Sequence, residues 1–325
     1  MTTTETGADL AAVAALLQIS TELGVSSFFD DGKPFRAADL AATARVPESR
    51  MAGFLEALAA AELVEATGET GEFQAAADYD DRRYQSGFLT WALSANAPLI
   101  EHAAEFFRAP DTATHKYRRD GRRVAVSSQW MGSHGVYPWV IERIVEARSG
   151  RIVDLGAGAA RLLIDLLKML PDSIGVAIDI SAAACAEAER AAGEAGLANR
   201  LQVVKTSIES LAEDPGPIEG ADVIHGGFVF HDVLQDETTG VEVLRRCRDA
   251  LAANGFMAIN DCVPYATDGR ESRFSALFTY MHSGFMRVQL PTQEKWQLRF
   301  TEAGFLNVEC IPIRLPGGRL FIATK

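Results

Sequence analysis

The sequence predicts an α/β fold: an open, mostly parallel sheet with helices on both faces, preceded by a mostly helical N-terminal region of winged-helix character. Three observations predict it. From Gly150 onward, five short apolar runs alternate with helical stretches, the pattern of successive strand–helix–strand units. The first run opens directly into the turn Asp154–Leu–Gly156–Ala–Gly158–Ala–Ala160. Before Gly150, apolar residues recur at helical rather than strand spacing. A chain of 325 residues is long for one core and suits more than one domain.

The elements follow in order. Leu10, Val13, Leu16, Leu17, Ile19 and Leu23 mark a first helix, stopped by Gly24. Residues 36–66 read as two short helices joined at Val46–Pro47–Glu48, and Glu62–Ala66 with Glu72–Gln74 as a small β-wing. A winged helix invites a DNA reading. Here Arg36, Arg45 and Arg50 face Asp39, Glu48, Glu56, Glu62 and Glu65, and the whole chain carries a net charge of −13. Nucleic-acid binders draw most of their affinity from neutralising phosphates, so no nucleic-acid partner is expected despite the short basic stretch Lys116–Arg123. Residues 80–148 read as mostly helical, with an irregular stretch at Ala109–Arg123. The strands are Ile152–Leu155, Gly175–Asp179, Leu201–Val204, Ala221–Ile224 and Gly255–Asn260. Cys185, Cys247, Cys262 and Cys310 form no C-x-x-C pair and read as reduced, mostly buried thiols. No apolar run approaches the roughly 20 residues of a membrane span, and Met1–Asp9 is polar and acidic, so a soluble cytoplasmic protein without membrane contact is expected.

The glycine turn lies at the carboxyl end of a strand, where ligands bind in such sheets. A dinucleotide fingerprint would place Gly or Ala five residues after its first glycine, and Arg161 stands there; no Walker lysine follows either. Asp154 precedes the first glycine by two residues, and Asp179 ends the next strand, where a carboxylate can take both hydroxyls of a ribose. This arrangement resembles the D-x-G-x-G loop and ribose acid of class I S-adenosylmethionine-dependent methyltransferases. The resemblance implies S-adenosyl-L-methionine as cofactor, held by Asp154, Gly156, Gly158, Asp179, Ile180 and Ser207. Ala160 stands where many members have a third glycine, and Thr206–Ser207 where an acidic residue often contacts adenine.

The fourth strand runs into Gly226–Gly–Phe–Val–Phe–His231–Asp232. A His–Asp pair there reads as a structural pair at a helix start, as the general base of a small-molecule O-methyltransferase, or as a metal site. Fifty-one residues on, His282 precedes a helix start at Pro291–Thr292–Gln–Glu294, which places it over the same face of the sheet. An O-methyltransferase needs one base and no second imidazole. Along essentially its whole length the chain resembles the metal-dependent 2-oxo-acid C-methyltransferases, of the phenylpyruvate and 4-methyl-2-oxopentanoate type, which serve nonribosomal-peptide biosynthesis. The segments that carry this resemblance are His231–Asp232, and His282 through Leu290–Pro291–Thr292 with Trp296 following.

That resemblance implies one metal, iron or zinc, on His231, His282 and Asp232, and a 2-oxo acid partner, with 4-methyl-2-oxopentanoate preferred and a phenylpyruvate-like acid next. Tyr117–Arg118–Arg119–Asp120 matches the family's substrate-carboxylate pattern and gives that role to Arg119. A metal chelated by carboxylate and keto oxygen would stabilise the enolate whose β-carbon takes the methyl group, and two neutral imidazoles suit iron or zinc. Asp232, or a hydroxide on the metal, would then be the base. Phe228, Phe230, Phe285 and Met286 read either as pocket lining, favouring a branched aliphatic side chain, or as plain core. The implied organisation is a winged-helix-like dimerisation domain at 1–80, a helical linker capping the substrate at 81–148, and the catalytic cofactor-binding domain at 149–325, in a homodimer. The alternative is metal-free O-methylation of a small molecule with His231 as general base.

Overall fold

The computed structural model describes residues 6–30, 32–68, 70–267 and 272–325. The chain divides into two compact units, Met1–His134 and Gly135–Lys325.

In the first unit the helix Gly7–Glu22 starts in a capping box between Thr6 and Asp9. Helices Ala37–Ala44 and Glu48–Ala60 meet at a left-handed Arg45. Strands β1 (Phe35–Arg36), β2 (Val64–Ala66) and β3 (Glu72–Ala75) form an antiparallel wing in the order β1-β3-β2. Leu17, Leu40, Met51, Leu55, Leu58 and Leu63 close the core beneath it. The winged-helix pattern is therefore present as read. Helix Tyr79–Leu89 runs on into a π-helical turn, Thr90–Ala95, and helix Gly121–Gly135 follows later. The stretch expected to be irregular holds a helix at Pro110–Lys116, because Pro110 occupies a first-turn position where its missing N–H costs nothing. The basic stretch is largely neutralised locally: Arg122 and Arg123 pair with Glu22, and Lys116 with Glu105.

The second unit holds a seven-stranded sheet: β4 (Arg151–Leu155), β5 (Ile174–Asp179), β6 (Leu201–Lys205), β7 (Ala221–Gly227), β8 (Leu251–Cys262), β9 (Asn307–Pro312) and β10 (Gly318–Thr324). Their order is β6-β5-β4-β7-β8-β10-β9. The first five strands are parallel, and β10 is antiparallel to β8 and β9. The five apolar runs thus became the parallel strands, and two further strands complete the sheet. The chain winds outward from β4 through β5 and β6, then returns to β7. The carboxyl ends of β4 and β7 therefore flank the switch point where ligands bind in such sheets.

Val153, Leu155, Val176, Ile178, Ile224 and Ile259 are almost fully buried, as strands covered on both faces require. Trp296 stacks on Phe300 and Phe321 at centroid distances of 6.1 and 5.2 Å, making it a core residue. Helix Gln293–Glu302 begins at the expected Thr292 cap, whose Oγ1 accepts from the Lys295 N–H. All four cysteines are free thiols, three of them buried. No helix of the described residues is long and apolar enough to cross a membrane.

Candidate active site

The loop after β4 is built from left-handed residues: Gly156 (φ +72°), Gly158 (φ +56°) and Ala160 (φ +56°). The Ile178 carbonyl accepts from the N–H groups of Gly156 (2.8 Å) and Ala157 (3.0 Å), which staples the loop to β5. A Cβ on Gly156 would come 2.5 Å from Val229 Cγ1, so glycine lets the segment after β7 close over the loop. A Cβ on Gly158 would meet nothing within 4 Å, so this backbone faces open space. Gly158 N–H donates to Asp179 Oδ2 (2.9 Å), and Ser181 N–H to Asp179 Oδ1 (2.8 Å). Each carboxylate oxygen keeps a further lone pair for a ligand. Ile180 follows with 71% of its surface exposed, and Ser207 Oγ accepts from Ser210 N–H at the rim. A glycine cradle, a carboxylate at a strand end and an exposed apolar side chain beside it fit an adenosyl cofactor.

Asp154 points elsewhere. It is buried, and its Oδ1 accepts from His225 Nδ1 on the neighbouring β7 at 2.6 Å. The other ring nitrogen of His225 lies 3.0 Å from Asn260 Oδ1 on β8. Burial pulls the His225 pKa down, but the charge of Asp154 and hydrogen bonds to Asp154 and Asn260 outweigh it and leave the value raised. Sequence reasoning missed His225 and Asn260. The available signal was polar residues inside runs that otherwise read as buried strand.

At the end of β7, Phe228 adopts φ +56° and donates its N–H to the Asn260 carbonyl. A single helical turn, Phe230–Val233, then sets His231. The buried ring donates Nδ1–H to Asp261 Oδ1 at 2.8 Å, and the His231 backbone N–H reaches Asp261 Oδ2 at 3.1 Å. Asp261, fully buried at the end of β8, also takes the Cys262 N–H. Its fixed carboxylate selects the tautomer that leaves Nε2 as the basic nitrogen. Asp232 Oδ2 stands 3.8 Å from that Nε2, with its side chain 55% exposed.

His282 lies in a π-helical turn, Met281–Met286, that extends helix Ser272–Tyr280. Its Nδ1 donates to the Phe278 carbonyl at 2.8 Å, and its ring meets that of His231 edge-on at 5.2 Å and 89°. The two imidazoles are thus brought together. Gln235 ties the two segments, donating to the His231 and Gln289 carbonyls and accepting from Gln289 N–H. Phe230 is fully buried in the core, where a Cβ on Gly226 would strike its ring, while Phe228 and Met286 are partly exposed and Phe285 is buried. Arg119 lies in the first unit, where the adjoining Tyr117 stacks on His102 and Asp120 N–H bonds the Ala95 carbonyl.

Residues 153–257 match the family described as a methyltransferase domain. The chain is 34% identical over 137 residues to the 2,7-dihydroxy-5-methyl-1-naphthoate 7-O-methyltransferase of Streptomyces carzinostaticus, covering 41% of this chain and 38% of that protein. It is 28% identical over 161 residues to the phenazine O-methyltransferase PhzM of Lysobacter antibioticus, covering 50% and 44% respectively. The matched region therefore spans about two fifths of the length of these curated relatives. Among solved structures, the mitomycin 7-O-methyltransferase MmcR superposes with a TM-score of 0.55 at 19% identity, covering 97% of this chain and 94% of that one. The structure described as PigF with SAH gives 0.57 at 20% identity, covering 97% and 96%. These likenesses fix the fold, including its helical N-terminal region.

Two expectations are corrected. Methylation of a 2-oxo acid β-carbon through a metal-chelated enolate does not stand, because the naphthoate and phenazine enzymes that the chain matches are O-methyltransferases. The iron or zinc assigned to His231, His282 and Asp232 lacks a donor set. Among the described residues no group of three or more His, Cys, Asp and Glu side chains converges to hold a metal. Asp232 is largely exposed and stands 3.8 Å from His231 Nε2. A chelating centre of this kind needs three or more protein donors.

Proposed function

We propose that this chain, whose second unit carries a class I S-adenosylmethionine-dependent methyltransferase domain, methylates a hydroxyl group of a small aromatic molecule with His231 as general base. One observation carries the reading: a buried imidazole whose Nδ1–H is locked onto a fully buried carboxylate, at the strand end beside the cofactor loop. S-adenosylmethionine, when bound, supplies an electrophilic methyl carbon on a sulfonium. The protein must then deliver an oxygen nucleophile and remove its proton.

His231 Nε2 accepts the hydroxyl proton, and Asp261 stabilises the imidazolium that results without moving. Such a base contributes about 10²–10⁴ in rate. Asp232 stands near the same nitrogen with an exposed carboxylate, a route for the proton to reach solvent. His282 forms an adjoining wall, and the Gln235 bonds keep that wall against the base. Gly156, Gly158, Asp179, Ile180 and Ser207 hold the cofactor. The relatives act on hydroxylated naphthoates and a phenazine, which recommends phenolic bicyclic and tricyclic aromatics as the first substrates to try.

The test is transfer of a labelled methyl group from S-adenosylmethionine to a panel of phenolic aromatics, with the product position read by mass and NMR. Methyl ether formed by the wild type and lost in His231→Ala is expected. Turnover only of acceptors without a hydroxyl would sink the reading.

A further inference from the structure

The cluster beneath the glycine loop does something the proposed chemistry does not use. Asp154 and His225 are register partners across β4 and β7, and Asn260 stands on β8 beyond them. Their side chains are 5%, 3% and 0% exposed. Asp154 Oδ1 lies 2.6 Å from His225 Nδ1, and His225 Nε2 lies 3.0 Å from Asn260 Oδ1. Among the described residues His225 is the one hydrogen-bond donor to this carboxylate.

A buried carboxylate whose one donor is a neutral imidazole would keep its charge uncompensated, which a low-dielectric interior strongly disfavours; Asp261, beside His231, differs in taking two backbone N–H groups as well. A second proton on His225 cancels that charge. That proton would be donated to Asn260 Oδ1 at 3.0 Å in the amide orientation the structure carries. The groups facing the pair agree. From β5 the register partner of Asp154 is Ala177, which carries no charge. From the helix Tyr137–Glu146, Tyr137 has its hydroxyl pushed up to about 12 by burial, with Asp154 and Asp165 adding to the effect and Arg161 opposing it, so it stays neutral. From β8, Asn260 is neutral and Asp261 is turned to His231.

We propose that His225 is held doubly protonated between Asp154 and Asn260, so that Asp154 acts as a positioning residue. It fixes the strand end on which the glycine loop is mounted and makes no ion pair with the cofactor's ammonium or sulfonium. This rests on reading the loop as the S-adenosylmethionine pocket.

Two measurements test it. In the full-length wild type labelled with ¹⁵N-histidine, NMR should show both ring nitrogens of His225 protonated at about pH 7, where an exposed histidine is mostly neutral. A single-proton tautomer there overturns the proposal, and no variant need fold for that result. Calorimetry then compares S-adenosylmethionine and S-adenosylhomocysteine binding to wild type, Asp154→Asn, His225→Gln and the double variant. Each single change should weaken both ligands alike by about tenfold. The double should lie within about threefold of either single, because both act through one unit. Multiplicative losses, or a selective loss of the sulfonium-bearing ligand in Asp154→Asn, would mean that Asp154 touches the cofactor directly. A wild type that binds neither ligand would end the pocket reading along with the positioning role, whereas a single-proton His225 ends the positioning role alone.

Discussion

Two buried imidazole–carboxylate pairs stand on the same edge of the sheet, six residues apart in the chain, and their second nitrogens separate them. His225 leans on Asp154 with one nitrogen and on Asn260 with the other. Both partners are protein, both are buried, and the ring is a strut between three strands. His231 leans on Asp261 with one nitrogen, while its Nε2 looks toward an exposed carboxylate and a second imidazole. The carboxylate contacts are nearly alike, at 2.6 and 2.8 Å. A histidine becomes a candidate base through what its second nitrogen faces, not through the acid that orients its first.

The largest effect should come from the reactive pair. His231→Ala should lower kcat by about 10²–10⁴, with S-adenosylmethionine affinity and thermal stability close to wild type. Asp261→Asn should act in the same direction and shift the pH–rate profile, since an amide can hold the wrong tautomer. A matching loss of cofactor affinity in His231→Ala would make the two pairs alike and break the comparison. Next in size is Asp179, the carboxylate proposed to hold the cofactor. Asp179→Ala should raise the S-adenosylmethionine dissociation constant about 10- to 100-fold, as loss of charge-assisted hydrogen bonds would, with an unchanged constant refuting its ribose role.

The static pair should answer in stability. Because the folded His225 pKa is raised, its contribution is fully present below about pH 6.5, the unfolded value, and fades as pH rises through the folded value. His225→Gln should therefore cost about 2 kcal/mol at low pH, and less as the pH rises, in urea melts across that range. A penalty that grows with pH would mean the ring is neutral in the fold.

The legibility of these features follows their distance along the chain. The five parallel strands were readable because burial on both faces demands continuous apolar runs. The Gly156–Gly158 loop and Asp179 were readable because each sits at a fixed offset from a strand end. That His282 lies over the same face as His231 was readable from the helix start at Thr292, whereas their close approach was implied by resemblance, since spacing does not show which way a π-helical turn presents its side chains. The pairings of Asp261 and His225 were not readable. Each finds its partner across the sheet, 30 and 71 residues away, and strand register cannot be read from composition. Strand β10 was missed for a related reason: its apolar run resembles a parallel strand, and its direction depends on pairing with both β8 and β9. Of the two readings open for Phe230, the structure takes plain core: the ring follows the strand end yet is fully buried.

The smallest effect sits at Ala160, under the cofactor loop and remote from the base. Its φ of +56° is the left-handed conformation that glycine adopts freely and that an L-residue with a Cβ resists, at a cost of about 1–2 kcal/mol. The third-glycine position thus keeps the glycine backbone while carrying alanine, fully buried at the start of helix Arg161–Met169. Ala160→Gly relieves the strain but frees the unfolded chain, which returns about 0.4–1 kcal/mol of the gain. A net stabilisation of roughly 0.5–1 kcal/mol is expected, a rise of about 2 °C in Tm for a chain of this size. Loss of stability on that change would mean that the Ala160 methyl contributes more to the packing beneath the loop than its backbone costs.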